Sequence, residues 1–248
     1  MRKDFINTKK TYNRIARDYH HLRTKKYPQG WFYNELLEMP TTLKLLGNIR
    51  GKKILDLGCG TGIYAKILTK KGAKVKGIDI SKEMIKIAQK ENPEIEFKVG
   101  NAEKLPYKSK EFDIVLSALV LEYFKDWNKV LKEINRVLEK DGLLIFSIGN
   151  PVSSSIKRIK FKGKKFRLVK AYFKENLRVS KWWDGVYMRW YHKPYGTIVK
   201  LLIKHGFGLV DYEDAKPLEK AKKLFPSDYD DTINNPYFCT WKWRKNGR

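Results

Sequence analysis

Residues 54–62 read Ile-Leu-Asp-Leu-Gly-Cys-Gly-Thr-Gly, a short apolar strand pattern followed at once by a glycine-rich turn. A helix pattern then runs from Ile63 to Lys71, and Gly72 ends it. Glycines in such a turn allow a ligand to approach main-chain N–H groups, and the N-terminus of the following helix favours a negatively charged or polar ligand end. The segment therefore predicts a ligand site between a strand and a helix.

An acidic residue at the end of the next predicted strand, Lys74 to Ile80, indicates what the ligand carries. Asp79 follows Gly60 by 19 residues, where a carboxylate can accept both hydroxyl protons of a ribose. The alternative is that Asp79 caps the next helix, but Ser81 is better placed for that role. The glycine spacing, G-x-G-x-G, differs from the G-x-G-x-x-G of dinucleotide sites and so argues against NAD.

Strand and helix patterns alternate from about residue 52 to residue 150. Further strands are predicted at Glu96–Val99, Phe112–Leu116 and Leu143–Ile148, with an antiparallel edge pair at Phe207–Glu213 and Tyr237–Trp243. We expect an α/β fold: a doubly wound, mostly parallel, seven-stranded Rossmann-like sheet whose ligand lies at the carboxyl ends of the strands.

The rest of the chain is expected to surround that core. Helix patterns cover Asp4 to Leu22 and Trp31 to Leu46, the second divided by Pro40, whereas regularity fails after Pro151. The predicted organisation is a helical cap (1–50), a cofactor-binding core (51–150), a basic aromatic insertion that forms a substrate lid (151–193), and a last helix with C-terminal strands that complete the core (194–248).

The charge of the chain is strongly basic: 53 Lys and Arg against 27 Asp and Glu give +26. Such a field attracts nucleic acid, anionic lipid surfaces or acidic small molecules, unless it reflects only a lysine-rich proteome. Two cysteines, Cys59 and Cys239, suggest neither a metal site nor a disulfide framework. No apolar run approaches the roughly 18 residues of a membrane span, so we expect a cytoplasmic protein. We also expect a monomer or a homodimer and no bound metal.

Five ordered segments resemble a known family. Residues 54–62 resemble the signature motif of class I methyltransferases, which use S-adenosyl-L-methionine and release S-adenosyl-L-homocysteine. Gly77–Ser81 with Met84 is similar to their second motif, and residues 112–117 and 137–144 to their fourth and fifth. Residues 100–107 resemble the third, although Asn101 replaces the usual Asp. The resemblance extends to Tyr12–Tyr19, similar to a helix that closes over the cofactor in small-molecule members.

The resemblance implies a set of cofactor contacts, although the tyrosines of the first helix would equally suit packing. The expected contacts are Tyr12, Tyr19, Arg23, Asp56, Gly58, Cys59, Gly60, Asp79, Ile80, Met84, Asn101, Ala102, Glu103, Ser117 and Leu119.

The cofactor brings an activated methyl group, so the protein mainly aligns the in-line displacement and excludes water. A general base is needed only if the acceptor atom holds its proton, and His192 is the first candidate, with Glu122 and Tyr191 also considered. His205 is better explained as a residue that ends a helix.

The acceptor is expected to be a small molecule, anionic or aromatic. Residues 146–151 and 191–207 resemble a group of small-molecule methyltransferases in which His often occupies the place of Asn150. Arg167, Arg178 or Arg189 would meet an anionic group. Residues expected to shape the pocket are Tyr123, Asn150, Trp183, Tyr187 and Arg189.

Two alternatives stay open at this point. One is an RNA methyltransferase, acting on tRNA, whose basic aromatic insertion tracks phosphates and stacks an unpaired base. The other is a non-catalytic, cofactor-binding partner subunit.

Overall fold

The computed structural model describes residues 7–25, 27–183 and 185–247, without the side chains of residues 28, 29, 164, 165 and 183. Within these residues, no helix is long and apolar enough to cross a bilayer. The strands are β1 (Lys53–Leu57), β2 (Lys74–Asp79), β3 (Glu96–Val99), β4 (Phe112–Ala118), β5 (Leu138–Gly149), β6 (Ile156–Phe161), β7 (Lys164–Val169), β8 (Leu177–Trp183), β9 (Val186–Tyr191), β10 (Phe207–Asp214) and β11 (Phe238–Lys245). The helices are α1 (Thr8–Thr24), a π-helical segment (Pro28–Glu38), α2 (Met39–Leu46), α3 (Ile63–Lys70), α4 (Lys82–Glu91), α5 (Asn128–Val137), α6 (Tyr195–Lys204), α7 (Lys220–Leu224) and α8 (Pro226–Ile233).

Seven strands form one twisted sheet in the order β10-β11-β5-β4-β1-β2-β3. The five strands from β3 to β5 are parallel, whereas β11 lies antiparallel to both β5 and β10. This confirms the predicted fold class, including the antiparallel C-terminal pair. Because β1, β2, β4 and β5 run in the same direction, their carboxyl ends meet at one edge of the sheet, where a ligand is expected.

The core lies on both faces of the sheet, because successive side chains of a strand point to opposite faces. Leu55 and Leu57 of β1 pack with α5 and α6, whereas Ile54 packs with α2 and α3 on the other face. All three side chains are almost fully buried, and each contributes about 1.5–3 kcal/mol relative to an exposed position. The two faces hold the central strands, and so the turns that follow them, in a fixed position.

The second N-terminal helix differs from its prediction. The helix is divided next to Pro40 as expected, but by a change of hydrogen bonding from the π-helical segment to α2 and not by a break in the chain's helical course. At the junction, Met39 N–H donates to the carbonyl of Asn34, five residues earlier. Pro40 follows in the first turn of α2, where a missing N–H is tolerated.

The region after Pro151 is more regular than its sequence suggests. Instead of an irregular insertion, it contains two antiparallel hairpins, β6–β7 and β8–β9, between β5 and α6. Lys162 and Gly163 connect the first hairpin with positive φ values of 46° and 76°, as a tight hairpin turn requires. Lysines on both faces of β6 hide the alternation that marks a half-buried strand.

Candidate active site

A cavity of about 640 Å³ lies at the carboxyl ends of β1, β2, β4 and β5. Its floor includes the glycine turn after β1, and further walls come from the turns after the other three strands. The helix α1 and the hairpin β8–β9 contribute its cover. The fold therefore places the glycine turn in the wall of an internal space.

Gly58 and Gly60 both have positive φ, yet they serve different purposes. A Cβ on Gly58 would lie 2.3 Å from Cγ2 of Val120, so the absence of a side chain lets the loop after β4 pack against the turn. A Cβ on Gly60 would meet nothing within 4 Å. Gly60 lines the cavity, and a ligand can approach its backbone closely.

Asp79 is held by the backbone around it. Its Oδ2 accepts from Gly60 N at 2.9 Å and its Oδ1 from Ser81 N at 2.8 Å. Burial raises the pKa of this carboxyl, although the backbone hydrogen bonds lower it. Ser81 caps α4 by accepting from Met84 N at 3.2 Å, so Asp79 does not cap that helix. The carboxylate at the cavity wall suits ribose hydroxyls.

Asp56 has the features expected of a residue that meets a cationic group of the ligand. Its side chain is buried, and Oδ2 has no hydrogen-bond partner among the described residues. Burial raises its pKa to about 7, and Asp79 adds to the effect. A buried carboxylate without a partner is costly unless a cation or donor meets it. S-adenosylmethionine carries a sulfonium and an ammonium, so the residues present fit this cofactor.

The cover joins distant parts of the chain. The hydroxyl groups of Tyr12 in α1 and Tyr123 after β4 are hydrogen-bonded at 2.8 Å. Tyr19 stacks on Trp182 of β8 with ring centroids 6.2 Å apart, and Arg14 Nη2 donates to the carbonyl of Gly185. Tyr12, Tyr19 and Trp182 line the cavity while they pack on one another, so packing and ligand contact are compatible roles.

The turns after β4 and β5 supply a second, more aromatic side of the cavity. Glu122 lies in the turn after β4, and its Oε2 accepts from Gly149 N at 2.8 Å. Burial raises the pKa of Glu122 to about 7, although the bond from Gly149 lowers it. Among the lining residues on this side are Tyr123, Phe124, Asn150, Ser154, Trp190, Tyr237 and Phe238. An acceptor molecule would meet aromatic rings and one carboxyl of near-neutral pKa.

Most residues expected at the site lie together around the cavity. Those that line it are Tyr12, Tyr19, Arg23, Asp56, Gly58, Cys59, Gly60, Asp79, Ile80, Met84, Asn101, Ala102, Leu119, Glu122, Tyr123 and Asn150. Asn101 also accepts from Glu103 N at 3.0 Å, which engages its side-chain oxygen in a local turn. The contact between Asn101 and an adenine edge stays a prediction.

Other expected residues do not line the cavity. Glu103 is half-buried beside Asn101, and Ser117 is fully buried within β4. Tyr187, Arg189 and Tyr191 alternate along β9 with Val186, Met188 and Trp190, and it is Trp190 that reaches the cavity. The side chain of Trp183 lies outside the described residues.

His192 is buried behind the cavity wall instead of facing the acceptor side. Its Nε2 lies 2.6 Å from the carbonyl oxygen of Tyr172, and its Nδ1 lies 2.7 Å from Oγ of Ser154. Because a carbonyl only accepts, Nε2 carries a proton, so in the neutral ring Nδ1 is an acceptor. Ser154 Oγ also lies 3.0 Å from the carbonyl oxygen of Pro151, and its single proton can be donated to only one of these two acceptors at a time. Burial lowers the pKa of His192, which favours that neutral form. The ring therefore orients Ser154, which does line the cavity.

Several lining residues were missed from the sequence. Glu38 is fully buried and accepts from Thr42 Oγ1 at 2.7 Å and from Tyr64 OH at 2.8 Å. Nothing in its local sequence distinguishes it from a solvent-facing glutamate on a helix. Trp182 and Trp190 could have been found from the period of two, had β8 and β9 been predicted as strands.

Comparisons with known proteins agree with this geometry. The family model described as "Methyltransferase domain" matches residues 55–146. The uncharacterized protein MJ1252 of Methanocaldococcus jannaschii is 34% identical over 212 residues, which cover 83% of this chain and 78% of the relative. The crystal structure of an S-adenosylmethionine-dependent methyltransferase from Mesorhizobium loti superimposes with a TM-score of 0.75 at 25% identity, covering 84% of this chain and 97% of that one.

A relative with a named reaction matches only the core. The demethylmenaquinone methyltransferase of Chlorobaculum tepidum is 43% identical over 100 residues, 40% of this chain and 41% of the relative. The matched family, the superimposed enzyme and the glycine turn with Asp56 and Asp79 all lead to the same conclusion. The chain belongs to the class I methyltransferases and is an enzyme whose cofactor is S-adenosylmethionine.

Proposed function

We propose that the enzyme methylates a small aromatic acceptor that carries an ionisable proton, and that Glu122 takes up this proton. The observation that carries the proposal is the half-buried Glu122, whose carboxyl accepts from Gly149 N–H in the aromatic-lined part of the cavity that also contains Asp56 and Asp79. A carboxyl with a pKa of about 7 is half ionised near neutral pH, which suits a general base.

The lining of the cavity favours an aromatic acceptor over an anionic one. Aromatic side chains surround the acceptor side, and rings of this kind pack well on planar molecules. None of the three arginines expected to meet an anion lines the cavity. Arg167 pairs with Asp231, and Arg178 donates to the carbonyl of Ala171. Four carboxyl groups line the cavity against two basic residues, Arg23 and Lys181, and Arg23 is already paired with Glu35, so the balance of charge disfavours an anionic acceptor.

The relative that methylates demethylmenaquinone supports the same class of acceptor. The likeness covers the cofactor-binding core and not the hairpins that shape the acceptor side. It therefore supports a hydroquinone-like or phenolic ring in general and leaves the individual molecule to experiment.

The residues around the cavity would have different roles in the reaction. The bound cofactor supplies a methyl group already activated by its sulfonium. Asp56 and Asp79 would hold the cofactor, and the cover of α1 and β8–β9 excludes water from the reacting atoms. Glu122 then removes the proton that the acceptor atom loses, and Ser154, oriented by His192, offers a polar contact at the edge of the ring.

Substitution Glu122→Gln tests the role of the carboxyl. Transfer of labelled methyl groups to phenolic or quinol acceptors should rise with pH as Glu122 ionises, with an apparent pKa of about 7 in the wild type. In the Gln variant we expect that limb to vanish and kcat to fall by about 10²–10⁴. Glu94→Gln, on an exposed residue, is the matched control. An unchanged pH profile in Glu122→Gln would show that this carboxyl is not the base.

The class of acceptor needs a separate experiment. Methyl-labelled cofactor is incubated with the enzyme and a cell extract, which is then divided into RNA, protein and small molecules. We expect label in aromatic small molecules. Label in tRNA alone would support an RNA methyltransferase, and label in no fraction would support a non-catalytic subunit.

A further inference from the structure

The hairpin β6–β7 carries an exposed apolar surface on one of its two sides. Residues directly opposite each other in an antiparallel pair share a face, so Ile159 and Phe166 lie together, as do Lys157 and Leu168. Phe161 belongs to the same side. Phe161, Phe166 and Leu168 are 60%, 44% and 49% exposed. We call Ile159, Phe161, Phe166 and Leu168 the hairpin face.

The segment that contains the hairpin face is strongly basic. Residues 151–174 contain nine Lys and Arg and no Asp or Glu. Lys157, next to Ile159 and Phe161 on the hairpin face, is exposed, as are Lys162 in the hairpin turn and Lys170 and Lys174 in the segment after β7. Phe173, in the segment after β7, is 86% exposed. A contiguous apolar surface with a fringe of lysines marks an interaction site.

The opposite side of the hairpin is attached to the body of the protein. Arg158 and Arg167 are paired across the strands and both meet Asp231 of α8. Arg158 also donates to Tyr237 OH at 2.6 Å, and Tyr237 lines the cavity. These contacts fix the orientation of the hairpin, so the hairpin face points away from the protein.

The chemistry of this surface favours a lipid bilayer over nucleic acid. Arginine suits phosphate recognition because its planar guanidinium can form two hydrogen bonds at once, but Arg158 and Arg167 lie on the opposite side of the hairpin from the hairpin face. Both pair with Asp231, although the side chain of Arg158 is 66% exposed. What remains exposed is aliphatic and phenyl surface next to lysines, whose long stems let the ammonium reach lipid headgroups while apolar neighbours enter the interface. Anionic lipids would also complement the positive charge.

We infer that the hairpin face binds the surface of anionic membranes. The binding is peripheral, because no helix of the described chain can span the bilayer. Since Ser153 and Ser154 line the cavity just before β6 begins, a membrane bound there would lie near the rim of the active site. Membrane binding by the hairpin face does not depend on which acceptor the enzyme methylates, so it can be tested separately from methyl transfer.

The test uses the full chain and vesicles of equal parts phosphatidylglycerol and phosphatidylcholine, with pure phosphatidylcholine vesicles for comparison. The test variant is Phe161→Ser with Leu168→Ser. The matched control is Ile203→Ser with Leu209→Ser, two similarly exposed side chains outside the hairpin. We expect the wild type and the control to sediment with anionic vesicles and not with neutral ones. The hairpin variant should bind at least about tenfold more weakly, with unchanged cofactor binding in calorimetry.

Three results would overturn the inference. The first is equal vesicle binding by the hairpin variant and the control. The second is no vesicle binding together with salt-sensitive retention of tRNA, which would assign the surface to nucleic acid. The third is a concentration-dependent dimer in ultracentrifugation that the hairpin variant abolishes, which would assign the hairpin face to a second copy of the chain.

Discussion

Two carboxyl groups in the cavity have a pKa of about 7, and they reach it in different surroundings. Asp56 has an oxygen without a hydrogen-bond partner among the described residues and lies close enough to Asp79 to feel its charge. Glu122 is anchored by Gly149 N–H, and only burial raises its pKa. The first arrangement suits a cationic ligand group, whereas the second leaves a carboxyl free to exchange a proton. Equal acidity therefore does not mean equal function.

Alanine substitutions of Gly58 and Gly60 separate the roles of these two glycines in the turn. Gly60→Ala should weaken cofactor binding more than tenfold while lowering the free energy of unfolding by only about 1–2 kcal/mol, the cost of a side chain at positive φ. Gly58→Ala should lower that free energy by a further 1–3 kcal/mol or so, because its Cβ would overlap Val120. Calorimetry and urea denaturation separate the two effects. If Gly60→Ala retained full affinity, the cofactor would not approach this backbone.

At the scale of elements, the prediction succeeded where one local pattern decides the structure. The strand, glycine turn and helix at 54–71 need only neighbouring residues, as does the capping of α4 by Ser81. The hairpins β6–β7 and β8–β9 were missed because their pairing joins exposed strands with little apolar alternation. Once those strands were missed, the side of β9 that faces the cavity could not be chosen. Tyr187 was expected there, and Trp190 occupies the place.

Substitutions on the two faces of β9 can be compared by measuring the KM for the acceptor. Trp190→Ala should raise the KM for the acceptor by about ten- to a hundredfold, because a buried aromatic contact of roughly 1.5–3 kcal/mol is lost. Tyr187→Ala, on the exposed face, should leave KM unchanged. The cofactor Kd is the control for both variants. Equal effects of the two substitutions would mean that β9 does not border the acceptor.

At the scale of the whole molecule, the chain combines a basic exterior with an acidic interior. The net charge is +26, yet Glu38, Asp56, Asp79 and Glu122 line the cavity. The net charge of the whole chain can be counted from the sequence. The charge of the cavity cannot, because it depends on which side chains the fold turns inward. Glu38, which no local pattern marks, illustrates this.

The acidic interior should make the stability of the cofactor-free enzyme fall as pH rises. The folded-state pKa of Asp56, about 7, lies above its ordinary 3.8, so folding favours the protonated form. The resulting destabilisation develops between about pH 4 and pH 7 and reaches at most about 4 kcal/mol. Asp56→Asn should therefore be more stable than the wild type at pH 8, similar to it at pH 4, and defective in cofactor binding.

Urea denaturation at both pH values measures this difference, with exposed Asp230→Asn as the control. A variant no more stable than the wild type at pH 8 would mean that Asp56 is already compensated within the protein.

The cover of the cavity also has a consequence for the order in which the newly made chain becomes competent. Arg14 and Gly185, which join α1 to the turn of the β8–β9 hairpin, are 171 residues apart. During synthesis the glycine turn and Asp79 emerge early, whereas the cover is complete only after the hairpin β8–β9 has left the ribosome. A nascent chain that ends at residue 150 contains the turns after β1, β2 and β4 that line the cavity, but not the hairpin β8–β9 that covers it. Retention of the cofactor is thus a property acquired late in translation.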